Sequence, residues 1–336
     1  MALKKINFIT GHDSIEVDNY YLSLTPGGKG VVGNYQFLFN QNLESYDYIV
    51  IFEQLSKVLE TTISVNNIIF VAGEATSIKR YSKKFLRQFG HVITCQETIE
   101  HKSKFLKSPG HSWFSKKTYD ELLHTTVVKK TKLLSIVVSN KAYTEGHRHR
   151  LEFCLKLKER LGDQVDFFGR GFKEFEDKWE TIAPYKYSIA IENTVEEHWV
   201  TEKIGDCFTS HTFPFYVGAP NIGNYYNSKS FVLLDLNDFE ASVDKILNIT
   251  SDGEHYNNHL EYLVKAKHDY INKHSIIPMI SLFIDRELKK DVSHSKSIVS
   301  KLIPEHRKTY KGRLIISGLI KKFKASIKTL FDQKHD

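Results

Sequence analysis

Residues 185–220 read YKYSIAIENTVEEHWVTEKIGDCFTSHTFPFYVGAP. The near-continuous apolar run Tyr187–Ile191 has the composition of a strand buried on both faces, and it ends in Glu192-Asn193. Thr201 suits a helix N-cap, with Glu202 and Lys203 in the first turn and Ile204, Cys207, Phe208 and His211 on one helical face. A second apolar run, Phe213–Val217, follows and breaks at Gly218-Ala219-Pro220-Asn221. Strand, helix and strand in that order make a unit of a parallel α/β sheet. In open α/β sheets, ligands bind beyond the carboxyl ends of the strands, so Glu192, Asn193, Glu202 and Lys203 are expected to converge on one crevice. A glutamate suits the first turn of a helix, whereas a lysine there opposes the helix dipole. An anion held by the free N–H groups accounts for that lysine, and phosphate is the obvious one. The alternative is that Lys203 runs out to water or pairs with Glu197. A carboxylate can accept bonds from ribose hydroxyls while an ammonium neutralises phosphate, a combination that suits a sugar nucleotide.

Similar apolar runs recur on either side of this stretch. Ile6–Ile9, Tyr48–Phe52, Ile68–Ala72, Val92–Cys95, Leu133–Val138, Val165–Phe168 and Phe231–Leu234 read as further strands. Phe153, Leu155, Leu157 and Leu161 lie among charged residues in a helix that Gly162 stops. A boundary falls near residues 103–131, where Pro109-Gly110 and the basic run Val128-Lys129-Lys130-Thr131-Lys132 precede a fresh strand. The expected class is α/β, with residues 1–128 and 129–305 forming two domains that face a cleft. Residues 306–336 form a basic tail. In it Leu314, Ile315, Ile316, Leu319, Ile320, Phe323, Ile327, Leu330 and Phe331 fall near helical spacing among lysines. Such an amphipathic helix either lies peripherally on an anionic membrane surface or packs on the protein.

The chain has 336 residues, a formal net charge of +7 and three cysteines. The basic balance calls for an anionic partner without choosing one. Cys95, Cys154 and Cys207 are widely spaced and form no C-x-x-C pair, which argues against a disulfide framework or a zinc ribbon and for a cytoplasmic chain with free thiols. The sequence has neither a signal-peptide pattern nor a transmembrane run.

The 185–220 stretch closely resembles the donor-binding motif of the glycosyltransferase family 10 α-1,3/1,4-fucosyltransferases of bacterial type. The matching positions are Tyr185-Lys186-Tyr187, Glu192-Asn193, Thr201-Glu202-Lys203 and Pro214 to Pro220. Weaker matches upstream are Val137-Val138-Ser139-Asn140, Arg150 and Phe167-Phe168-Gly169-Arg170. The resemblance implies a GT-B fold of two Rossmann-like domains and an inverting transfer of fucose from GDP-fucose to a glycan or lipopolysaccharide acceptor. It implies that Tyr187, Asn193, Trp199, Thr201, Glu202 and Lys203 line the donor site, with Trp199 standing where the family often has tyrosine. Lys203 would neutralise the diphosphate, with Arg150 or the nearby Arg148 as the second cation. Ile68–Glu74 resembles the family's strand whose terminal glutamate is the proposed base, which makes Glu74 the catalytic candidate. GDP-fucose is then a substrate, and no cofactor or metal is expected.

Other signals carry less. Gly28-Lys29-Gly30-Val31-Val32-Gly33 fits G-x-G-x-x-G literally, but no clear strand precedes it and it reads as a flexible loop. His147 and His149 sit at i and i+2 and so point apart, which disfavours a metal pair. Asp206 reads as an ordinary helix carboxylate. Two rival functions are a related transferase using another nucleotide sugar and a basic module binding nucleic acid or membrane. The chain has no nucleic-acid-binding signature, so nucleic acid is not an expected partner.

Overall fold

Apolar runs become strands wherever both faces are covered. In the computed structural model the first half holds β1 (Lys4–Ile9), β2 (Val31–Val32), β3 (Tyr35–Phe39), β4 (Tyr48–Phe52), β5 (Leu59–Glu60), β6 (Ile68–Val71), β7 (His91–Thr94) and β8 (Lys104–Leu106). Seven of these form one sheet in the order β2-β3-β1-β4-β6-β7-β8. Only β2 runs antiparallel to its neighbour. The second half holds β9 (Lys132–Val137), β10 (Val165–Phe168), β11 (Tyr185–Ile191), β12 (Phe213–Val217) and β13 (Val232–Leu233). These form an all-parallel sheet in the order β10-β9-β11-β12-β13. The structure describes residues 2–12, 14–41, 45–288 and 301–305. The two Rossmann-like sheets lie in one compact unit, Met1–Pro304.

Side-chain alternation explains the near-continuous hydrophobicity of the central strands. Val50, Ile69, Val71 and Ile93 enter one core, while Ile49, Ile51, Ile68, Phe70 and Val92 enter the core on the opposite face. The first of these cores is completed from far along the chain. Ile276, Ile277, Ile280, Phe283 and Ile284, on the helix Ile276–Phe283 and the turn after it, pack against Ile6, Phe8 and Val50. A last strand, β14 (Lys301–Leu302), pairs antiparallel with β5. Residues 276–302, grouped with the second half by a boundary at 129–305, therefore begin and end on the first. The reason is apolar area: the first sheet has a face that nothing in residues 1–128 covers fully.

The helix Glu145–Leu161 starts on the Thr144 cap and stops at Gly162, which has φ 52°. The helix Glu202–Thr209 starts on Thr201, whose hydroxyl accepts the Lys203 N–H. The Gly28–Gly33 loop is held rather than flexible. Gly30 donates to Thr25 Oγ1 at 2.9 Å and Gly27 donates to Asp120 Oδ2 at 2.8 Å. Gly30 has φ +69°, and a Cβ there would lie 2.5 Å from the Phe37 carbonyl. Among the described residues no helix is long and apolar enough to cross a membrane. The basic helix expected at 306–336 lies outside them.

Candidate donor site between two sheet edges

Strand β11 delivers Glu192 and Asn193 to the carboxyl edge of the second sheet. Glu192 is 2% exposed. Its carboxylate accepts the Thr201 N–H at 3.0 Å, the Thr201 hydroxyl at 2.7 Å and the Lys203 ammonium at 2.8 Å. It therefore builds the start of the next helix from below instead of facing a ligand. Gly218 permits this packing, since a Cβ there would meet Tyr216 Oη at 2.1 Å and Glu192 Cγ at 2.6 Å. Lys203 also lies 3.5 Å from Glu202. Its partners are these two carboxylates rather than Glu197, and together they outweigh burial and raise its pKa. Burial works to raise the Glu202 pKa, but Lys203 and Lys178 hold it down at about 2.

Of the two arginines expected to offer a second cation, Arg148 is exposed, whereas Arg150, two residues on, is 6% exposed. Arg150 Nη1 donates to Asn193 Oδ1. Its Nε and Nη2 are buried and have no protein partner. Buried guanidinium donors without acceptors are costly, and an anion supplies what they lack. The helix carrying Arg150 comes close to β11 at Gly146, where a Cβ would fall 1.9 Å from the Asn193 carbonyl oxygen. Beside it, His147 Nδ1 lies 2.6 Å from Thr144 Oγ1. Burial, reinforced by Arg150, Lys141 and Lys203, lowers the His147 pKa to about 4, so its ring is neutral at pH 7. This histidine, unpromising as a metal ligand in the sequence, lies in the field of Arg150 and Lys203, and the i to i+2 spacing of His147 and His149 gave no sign of it.

Glu74 stands on the opposing wall, just past the end of β6. Burial raises its pKa to about 7, and the Glu53 carboxylate adds to the effect, while Lys79 and Lys203 pull the other way. The Glu53 side chain lies against Gly73, where a Cβ would be 3.2 Å from Glu53 Cγ, and Glu53 itself holds a left-handed φ of 70°. The Glu74 carbonyl accepts from Gln96 Nε2 at 2.7 Å. Trp199 is buried against Ala75 and Cys95 and meets the His111 ring edge-on at 5.4 Å. It thereby joins the donor-side loop to the wall that bears Glu74.

Two expectations change here. Tyr187 is 1% exposed and lies in the core beneath the sheet, packed on Phe213, Phe215 and Tyr256. The Tyr187 hydroxyl points to the Ile249 carbonyl and the His255 ring, on the helices Phe239–Ser251 and His255–Asp269, and away from the crevice. Asp206 is no ordinary surface carboxylate. It is 3% exposed, pairs with Lys178 at 2.6 Å and accepts the Phe114 N–H at 2.9 Å. Its spacing alone could not show this, because Lys178 comes from a helix 28 residues upstream. Arg150, Asn193, Thr201, Glu202 and Lys203 do converge, with Glu74 on the facing side and Trp199 reaching from the donor-side loop to Ala75 and Cys95 beside it.

Residues 127–285 match the sequence model of glycosyltransferase family 10 (fucosyltransferase), C-terminal part. An α-(1,3)-fucosyltransferase of Helicobacter pylori is 41% identical over 71 residues, which make up 21% of this chain and 15% of that protein. A fucosyltransferase-like protein of Arabidopsis thaliana is 26% identical over 162 residues, 47% of this chain and 31% of that one. The matched stretch thus spans less than a third of either relative. A crystal structure of α1,3-fucosyltransferase with GDP-fucose aligns with a TM-score of 0.48 at 19% identity, covering 82% of this chain and 92% of that one.

Proposed function

Residues 127–285 belong to glycosyltransferase family 10, and from that premise we propose that the protein is an inverting transferase moving fucose from GDP-fucose to a hydroxyl of a glycan acceptor. The observation that carries this reading is the buried Arg150 guanidinium, two of whose donors lack protein acceptors, held on Asn193 in the field of Glu192 and Glu202, the carboxylates that pair with Lys203. In this reading the diphosphate takes the Arg150 donors and shares Lys203 with Glu192 and Glu202. Asn193 and the Thr201-capped helix start orient it. Glu74 takes the proton of the acceptor hydroxyl as that oxygen attacks the anomeric carbon. The bond to the diphosphate oxygen breaks on the opposite face, and the sugar passes through an oxocarbenium-like state. Charge building on departing GDP meets the two cations, which supply the electrostatic stabilisation without a cofactor. Trp199, buried against Ala75, Cys95 and His111, would keep water from that side of the reacting groups.

The acceptor class belongs to the same proposal. The net charge of +7 supports an acidic or membrane-bound glycan such as lipopolysaccharide, reached from the cytoplasmic face. Transfer of labelled GDP-fucose onto an acceptor panel including type 1 and type 2 lactosamine tests the reading, with GDP-mannose and UDP-sugars as rival donors. Fucosylated product from GDP-fucose alone is the expected result. Turnover of another donor with none of GDP-fucose would overturn the choice of sugar.

A further inference from the structure

The loop after β11 does more than border the donor site. Glu196, in the segment between Asn193 and Thr201, reaches across to the loop that follows Glu74. Its Oε2 accepts the Thr76 N–H at 3.0 Å and its Oε1 accepts the Thr76 hydroxyl at 2.6 Å. One residue after Thr76 and two before Glu196, Ser77 Oγ and Thr194 Oγ1 lie 2.6 Å apart. Trp199 anchors the same loop by burying its ring against Ala75 and Cys95. From the other side, Gln96 Nε2 donates to both the Glu74 and the Lys79 carbonyls, at 2.7 and 2.9 Å. The backbone from 74 to 79 is thus gripped at its ends from within its own half, while its middle is gripped by the donor-side loop.

A carboxylate that accepts two bonds from one residue fixes that residue's position and orientation, because both of its oxygens are used. Thr76 is only two residues from Glu74. We infer that Glu196 is a positioning residue, which ties the Glu74 loop to the donor-side loop so that nucleotide held on one wall sets the base on the other. The inference rests on the reading of Glu74 as base and of residues 193–203 as donor-binding. Glu196 itself touches neither donor nor acceptor in this scheme. It acts through Thr76, and the coupling it provides is a matter of geometry: a displacement of about 1 Å at a reacting group costs on the order of a hundredfold in rate.

Hydrogen exchange of the full chain with GDP as the probe separates the possibilities. In the wild type, GDP should slow exchange in residues 145–150 and 193–203 and also in residues 73–79. In Glu196→Ala, which removes both acceptors of the Thr76 bonds, protection at 145–150 and 193–203 should persist while protection at 73–79 is lost. Thr76→Val removes only the hydroxyl bond and should lose part of it. It carries the same test should the alanine variant fold poorly. In transfer assays Glu196→Ala should lower kcat about 10- to 100-fold with the donor KM within about twofold, and adding Thr76→Val should cost nothing further. Equal protection of 73–79 in wild type and Glu196→Ala would overturn the inference while leaving the donor site intact. Absence of GDP protection at 145–150 and 193–203 would overturn the donor reading and this inference with it.

Discussion

Glu74 is held in a place that charge disfavours. Its ordinary pKa is 4.5, and burial together with Glu53 raises it to about 7. A carboxylate tuned in this way is half ionised near neutral pH, where a general base is most effective. The same shift has a stability sign. The folded-state pKa lies above the unfolded one, so the contribution is fully present below about pH 4.5 and is lost as pH rises through about 7. Glu74→Gln removes a charge the fold resists. Relative to wild type it should gain stability between pH 4.5 and 7 and keep a gain of about 1–3 kcal/mol above that, read as a Tm difference. Its kcat should fall about 10²- to 10⁴-fold with GDP affinity unchanged, and the rise of wild-type kcat/KM through about pH 7 should vanish. Arg150 offers the complementary case. Its Nε and Nη2 have no protein acceptor, so Arg150→Met should leave Tm unchanged or raise it. GDP affinity, measured by calorimetry, should drop about 10- to 100-fold, the worth of charged hydrogen bonds. A stability loss with GDP affinity intact would make Arg150 a packing residue instead.

Among the elements, four termini of secondary structure make the site: the ends of β6 and β11 and the first turns of the helices Glu145–Leu161 and Glu202–Thr209. These were legible because each carries a local signal. The apolar runs of β6 and β11 need burial on two faces, Thr144 and Thr201 cap, and Gly162 terminates. The signals that failed are the non-local ones. The motif places Tyr187 in the donor site with its neighbours, yet strand alternation turns it inward, whereas Glu192 and Asn193 lie beyond the last paired residue and escape that alternation. The helix Ile15–Ser23 buries no residue fully and touches the cores only through the partly buried Tyr20, Tyr21 and Leu22, so its apolar face is hard to read. Glu196, Lys178 and His111 reach the site only through tertiary contacts. Close approach of elements makes its own prediction at Gly146. A methyl group there would sit 1.9 Å from the Asn193 carbonyl oxygen, so Gly146→Ala must push the helix start away from β11. That displaces Arg150 from Asn193. Loss of detectable GDP binding is expected, with a destabilisation of about 1–3 kcal/mol by denaturant titration despite the better helix propensity of alanine.

At the scale of the whole molecule, the return of the chain to its first half decides how the two halves can exist. Ile277, Ile280 and Ile284 are 0% exposed and Phe283 is 2% exposed, all against the face of the first sheet formed by Ile6, Phe8, Val50 and Ile69. Burying a side chain of this size is worth about 1.5–3 kcal/mol, so the four together contribute on the order of 6–12 kcal/mol. That rivals the whole net stability of an ordinary domain, about 5–15 kcal/mol. The first half therefore depends on a segment synthesised more than 130 residues after its last strand, β8, and a fragment of residues 1–128 should not hold a native core. The fragment should bind a hydrophobic dye, show no cooperative thermal transition and be cut rapidly by protease. A chain ending at residue 275 should behave the same way in its first half, although its second sheet is complete. Adding a peptide of residues 276–288 in trans should restore part of the cooperative transition. A cooperatively folded 1–128 fragment would mean that the helix Ile276–Phe283 covers the sheet without being needed for it. The two walls of the site would then be independently stable bodies, tied together by contacts such as Phe114 to Asp206, Tyr270 to His111 and Glu196 to Thr76.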